Sequence, residues 1–133
     1  MATFKSFEEI TAWQKARQFC NEIFCICEKT NLSRDYKLRD QVNSSSGSIM
    51  DNIAEGFGRG GNPEFIQFLE ISHASACESQ SQLYRILDRK YIPEEKFKEL
   101  YDIVSEIRRM TLALITYLSK SAMTGPKYKL RQK

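Results

Sequence analysis

Apolar residues recur along this chain at spacings of three and four. Ile10, Trp13, Ala16, Cys20, Ile23, Phe24 and Cys27 form a first stripe, which predicts an amphipathic helix over about residues 7–29. Ser6 and Glu9 ahead of it have the spacing of a capping box. Leu38, Val42, Ser45, Ile49, Asn52 and Gly56 then step by alternate fours and threes, predicting a second helix over about residues 34–57. A third opens with Asn62 as N-cap and Pro63 at the first helical position, follows Phe65, Phe68, Leu69, Ser72, Ala76, Ser79, Leu83, Ile86 and Leu87, and ends near Lys90. The fourth begins at Pro93-Glu94-Glu95, acids that suit the positive end of a helix dipole, and runs through Phe97, Leu100, Tyr101, Val104, Ile107, Thr111, Leu114, Ile115 and Leu118 to about Ser121.

Only two valines occur and no period-two stretch supports a strand, so the fold class is all-α. Long helices joined by short connections must run antiparallel to their neighbours, which gives an up-down-up-down four-helix bundle. The run Asn43-Ser44-Ser45-Ser46-Gly47-Ser48 has the propensity of a loop. It is assigned to the second helix because the seam passes through it in register. Ser72, Ser75, Ala76 and Ser79 offer a matching surface of small residues on the third helix, and the two are expected to pack closely there.

Composition alters this picture little. A chain of 133 residues has room for one core, and 41% hydrophobic with 28% charged residues excludes disordered, collagen-like and disulfide-scaffold classes. No apolar run approaches the length of about 20 residues that a membrane span needs, and the start of the chain reads as neither a secretory signal nor a transit peptide. The four cysteines contain no C-x-x-C pair and read as reduced, buried thiols of a cytoplasmic protein.

Charge changes more. The net +3 divides into a body, residues 1–120, with 16 basic and 17 acidic side chains, and a tail, residues 121–133, carrying Lys127, Lys129, Arg131 and Lys133 with no acid. Within the tail Gly125 and Pro126 break any helix running in from upstream, and such a tail can follow a phosphate backbone.

Catalytic chemistry finds little support. Gly56-Phe57-Gly58-Arg59-Gly60-Gly61 matches a dinucleotide-loop string but follows a helix where that fold requires a strand, so it reads as an inter-helix turn whose Arg59 can meet a phosphate. Glu70 and His73 have the spacing of a carboxylate-bridged metal pair, yet His73 is the only histidine, and one chain cannot supply the second pair. The expectation is a non-enzymatic protein without cofactor or metal. Asn52 and Glu55 fall near the seam, with Ser75, Glu78 and Gln82 as candidate partners; together they read as a polar layer that fixes helix register, with a ligand site as the alternative.

Trp13-Gln14-Lys15-Ala16, Ser48-Ile49-x-x-Asn52-Ile53-Ala54-Glu55-Gly56-Phe57-Gly58-Arg59, Phe65-x-x-Phe68-Leu69 and Ser75-x-x-Glu78-x-x-x-Gln82-Leu83 together resemble the bacterial four-helix-bundle proteins of 23S rRNA intervening sequences, over about residues 4–120. That family is similar to the accessory variability determinant proteins of diversity-generating retroelements. The resemblance implies a homopentameric barrel whose partners are RNA or DNA and a reverse transcriptase. Asn43 and Ser44 stand where the family commonly has two arginines, and Ala74 replaces a usual glycine. Positive surface is then left to Arg59, Arg85, Arg89, Lys90, Arg108, Arg109 and the tail.

The function expected is an oligomeric accessory protein that binds RNA or single-stranded nucleic acid through phosphate contacts at Arg59, Arg85, Arg89, Lys90, Lys127, Lys129, Arg131 and Lys133. The structural motif is Asn52, Glu55, Gly56, Ser75, Glu78 and Gln82. The alternative is a scaffold ring that presents helix faces to a partner enzyme such as a reverse transcriptase, with Tyr84, Tyr91, Tyr101 and Tyr117 as aromatic anchors.

Overall fold

A computed structural model describes residues 4–124; Lys127, Lys129, Arg131 and Lys133 lie outside the described residues. Four helices, α1 (Thr11–Lys29), α2 (Tyr36–Gly58), α3 (Asn62–Asp88) and α4 (Glu94–Thr124), account for most of them, with 3-10 turns at Phe7–Glu9 and Asn31–Arg34. No strand occurs among the described residues. Each helix packs on the next and α4 closes on α1. Short connections then make the arrangement an antiparallel up-down-up-down bundle. The core runs along its axis through Phe19, Ile23, Leu38, Ile49, Leu69, Leu83, Leu100 and Ile107, all buried.

Two helix starts differ from expectation. Ser6 makes no side-chain cap bond, and the Glu9 carboxylate accepts the Lys5 N–H at 2.9 Å, so the capping box does not form. The chain instead breaks at Ile10, whose extended backbone sends its side chain into the core at 1% exposure and sets Phe7 edge-on against Trp13. Burying Ile10 outweighs one more turn of helix. At α3 the N-cap is Gly61 rather than Asn62, because the Gly61 carbonyl already accepts the Phe65 N–H at 2.9 Å and Asn62 is within the helix.

The stripe of α1 is also rotated from the expected one. Its buried line is Ala12, Ala16, Phe19, Ile23, Ile26 and Cys27, while Phe24 is 58% exposed and Trp13 and Cys20 are half-buried. Side-chain bulk misplaced the face; Phe19 anchors it. Of the four thiols only Cys27 is fully buried, and desolvation pushes it up to about 11; Cys20 and Cys77 are half-buried and Cys25 is exposed. Cys25 and Cys27, two residues apart, occupy different faces of the helix.

The serine run is helical, inside α2, and its small side chains bring α2 and α3 together. Ser45 Oγ donates to Gln82 Oε1 at 2.6 Å, so Ser79 must donate to Ser45 across 2.8 Å; the Gln82 amide then donates to Glu78 at 3.3 Å. Asn52 Nδ2 donates to Ser48 Oγ at 2.9 Å, which leaves the Ser48 proton for Ser75 at 2.9 Å. Ser72 donates to the Ile49 carbonyl. No buried side-chain N or O atom among the described residues lacks a partner. Loop propensity arises when such hydroxyls bond their own backbone; here the facing helix uses them instead. Gly56 completes the contact, since a Cβ there would stand 2.6 Å from Phe68 Cβ and 3.1 Å from Phe65.

Candidate nucleic-acid interface

The connection from α1 to α2 and the connection from α3 to α4 meet at one end of the bundle. Thr30 starts the first, donating to the Ile26 carbonyl at 2.6 Å and accepting from the Leu32 N–H, and Leu32 plugs the core beneath it. Asp35 follows as N-cap of α2. Its carboxylate accepts from the Leu38 N–H, from Arg89 at 2.6 Å and from the Tyr91 hydroxyl at 2.9 Å. Those bonds, Tyr91 first and Arg89 next, hold the Asp35 carboxyl below the usual carboxylate range. Asp35 therefore ties the two connections together.

The second connection is a Schellman turn. The Tyr91 N–H reaches the Ile86 carbonyl and the Lys90 N–H reaches that of Leu87, which places Lys90 in the left-handed region at φ 62°. Glycine is the usual residue there. Lys90 is held there with its side chain exposed.

Around Asp35 the fold gathers positive charge. Arg34, Lys37 and Lys90 are exposed and have no ion-pair partner among the described residues. Arg39 donates to the Ser33 carbonyl and pairs with Asp40, with its guanidinium 4.9 Å from the Tyr36 ring centroid. Arg85 donates to Gln41 at 3.0 Å. Between Arg34 and Lys37 in sequence, Tyr36 is 65% exposed, the most exposed of the large hydrophobic side chains described. An uncovered aromatic among cations is the surface on which a single-stranded base can stack while its phosphates are neutralised.

The expected site residues divide accordingly. Arg85, Arg89 and Lys90 share this end, although Arg89 is committed to Asp35. Arg59 lies at the opposite end, about 34 Å away along α2, paired with Glu55 at 2.9 Å and lying over the Phe68 ring. Arg108 is drawn into the α3–α4 interface, donating to His73 Nε2 at 3.3 Å and to Gln80 at 2.8 Å. Burial first, and that guanidinium second, hold His73 below its usual value. With Nε2 accepting, the His73 proton sits on Nδ1, which faces Cys77 Sγ at 3.9 Å. Glu70 points to solvent and forms no pair with it.

Of the expected polar layer, Gln82 and Ser75 bond across to α2, at Ser45 and Ser48, and Ser79 joins Ser45; Asn52 bonds Ser48 within α2 and Glu78 bonds Gln82 within α3. Glu55 does not belong to it: three residues after Asn52 its side chain has turned outward to Arg59. Sequence reasoning passed over Arg34, Tyr36, Lys37 and Arg39. Their signal was present in Arg34-Asp35-Tyr36-Lys37-Leu38-Arg39, a short segment interleaving cations with an aromatic.

Comparison with known proteins agrees with the fold. The model of the 23S rRNA-intervening sequence protein family matches residues 8–113. The chain belongs to that family. Within the 23S rRNA-intervening sequence proteins, the matched span begins in the turn before α1 and ends in the second half of α4, so it takes in the whole Asp35 junction. A crystal structure of a protein of unknown function from the S23 ribosomal protein family of Bacteroides thetaiotaomicron is similar, with a TM-score of 0.72 at 23% identity over 80% of this chain and 96% of that one. At that identity the likeness speaks for the bundle alone. No functionally curated protein matches the chain. Among the described residues no helix is long and apolar enough to cross a membrane, and no three His, Cys, Asp or Glu side chains are grouped to hold a metal ion.

Proposed function

We propose that this member of the 23S rRNA-intervening sequence protein family is a non-enzymatic accessory protein that holds single-stranded RNA at the Asp35 end of the bundle. Phosphates are neutralised by Arg34, Lys37 and Lys90, and a base stacks on Tyr36, without readout of base edges. The observation that carries this reading is the exposed Tyr36 ring, with the Arg39 guanidinium 4.9 Å from its centroid, in the segment that Asp35 ties to Arg89 and Tyr91 on either side of Lys90. Assembly into a homo-oligomer, the pentamer implied by the resemblance to retroelement accessory proteins, would set several such ends side by side and multiply their effect.

Fluorescence anisotropy with a labelled oligouridine RNA tests the reading. Tyr36→Ala should weaken binding by about 5- to 150-fold, the loss of one stacked base at about 1–3 kcal/mol. Equal affinity of variant and parent would remove Tyr36 and the Asp35 end from the interface. The scaffold alternative draws on Tyr84 and Tyr117, which are 48% and 36% exposed; Tyr91 is committed to Asp35 and Tyr101 is half-buried against Phe97. It predicts loss of a partner enzyme on mutating Tyr84 or Tyr117 with RNA binding intact.

A further inference from the structure

On the flank of the same end, α3 and the start of α4 enclose a groove of about 630 Å³ with a different chemistry. Its floor is apolar, formed by Leu87, Phe97 and Tyr101, and Tyr84 extends the aromatic surface, its ring centroid 4.9 Å from that of Phe97 and 5.7 Å from that of Tyr101. Its rim carries Glu94, Glu95 and Asp102 against the single cation Lys98, which pairs with Asp102 at 3.3 Å. Glu94 and Glu95 have no ion-pair partner among the described residues. Carboxylates beside exposed aromatic faces suit a cationic segment, through charge pairing at the rim and cation–π contact on the rings.

The chain itself contains the complementary segment. Lys127-Tyr128-Lys129-Leu130-Arg131 alternates cation and apolar residue, and Lys133 follows. Laid extended in a groove, its apolar residues face the floor and its cations the rim. Its own groove is out of reach. The path along α4 from Thr124 back to Asp102 is about 33 Å and to Glu94 about 45 Å, whereas the nine residues from Thr124 to Lys133 span at most about 32 Å. Lys127 and Lys129 cannot approach the groove's carboxylates at all, and only the tip of the Lys133 side chain comes near Asp102, so the segment as a whole cannot lie in its own groove.

We propose that this groove docks the Lys127–Lys133 segment of a second copy of the chain. The contact is head-to-tail: the segment departs from the α4 C-terminus of one copy and is received at the α4 N-terminus of the next. It uses none of Arg34, Tyr36, Lys37 and Lys90, the residues of the proposed RNA site, and it takes the tail cations Lys127, Lys129, Arg131 and Lys133 away from the phosphate role the sequence suggested, so the two readings stand or fall separately.

Carbodiimide cross-linking of the full chain, as a mixture of ¹⁴N- and ¹⁵N-labelled copies at low salt, tests it. Mass spectrometry should find Lys127, Lys129 or Lys133 joined to Glu94, Glu95 or Asp102 in mixed-isotope pairs, and these links should fade as salt is raised. Absence of such links, or links only within one copy, overturns the proposal. A charge exchange supplies a second reading by sedimentation equilibrium. Glu94→Lys with Glu95→Lys, and separately Lys127→Glu with Lys129→Glu, should each weaken self-association by tenfold or more, and mixing the two should restore it. Failure of the mixture to recover overturns the proposal, provided circular dichroism shows both variants helical. The tail variant should also leave the salt dependence of oligouridine binding unchanged; a flatter slope would place the segment on RNA and contradict docking in the groove.

Discussion

Gly47 and Gly56 sit in the same helix and answer to different constraints. A Cβ at Gly47 has nothing within 4 Å, so Gly47→Ala removes only the backbone entropy that glycine costs a helix and should stabilise by about 0.5–1 kcal/mol. A Cβ at Gly56 stands 2.6 Å from Phe68 Cβ, an atom fixed to the α3 backbone. Gly56→Ala must therefore push two helices apart and should cost about 1–3 kcal/mol. Denaturant melts of the two variants check the opposite signs. Lys90 presents a related conflict between stability and function. Its left-handed backbone disfavours any side chain, so Lys90→Gly should raise stability by about 1 kcal/mol while lowering affinity for RNA. A lysine kept for its backbone alone would show the first effect without the second, which paired melts and binding isotherms distinguish.

At the scale of elements, much of the fold was legible because the helices are long and regularly striped. The 3.6-residue period carried α2, α3 and α4, including the serine run, whose place in register outweighed its loop propensity. Legibility failed where three-dimensional burial decided between equal local options. Ile10 breaks the helix to reach the core, Phe24 loses its place to Phe19, and Glu55 turns outward although Asn52, three residues before, bonds inward. The candidate interface was half legible for a related reason. Arg85, Arg89 and Lys90 are close in sequence, but their meeting with Arg34, Tyr36 and Lys37 depends on one carboxylate, Asp35, bridging two connections over 50 residues apart.

The α3–α4 interface makes a prediction in pH. His73 is held below its usual value by burial and by Arg108, so the unfolded chain takes up a proton there before the folded one does. Stability should be complete above the unfolded value near 6.5 and should fall as pH drops from there to the lowered folded value. His73 is the only histidine, so calorimetry of His73→Gln should show a flatter profile across that window. An unchanged profile would assign the titration elsewhere.

For the whole molecule, a net charge of +3 says little about partners, because the fold spends many cations internally and concentrates the rest. Arg59, Arg89 and Arg108 are engaged by Glu55, Asp35 and Gln80; Arg34, Lys37 and Lys90 remain open at the Asp35 end. The central claim is that this end neutralises phosphates. The salt dependence of oligouridine binding measures it most directly, comparing the parent with Arg34→Gln, Lys37→Gln and Lys90→Gln combined. Three released counterions on a single strand should flatten the slope of log K against log salt by about 2 units. Parallel lines for parent and variant would contradict the account.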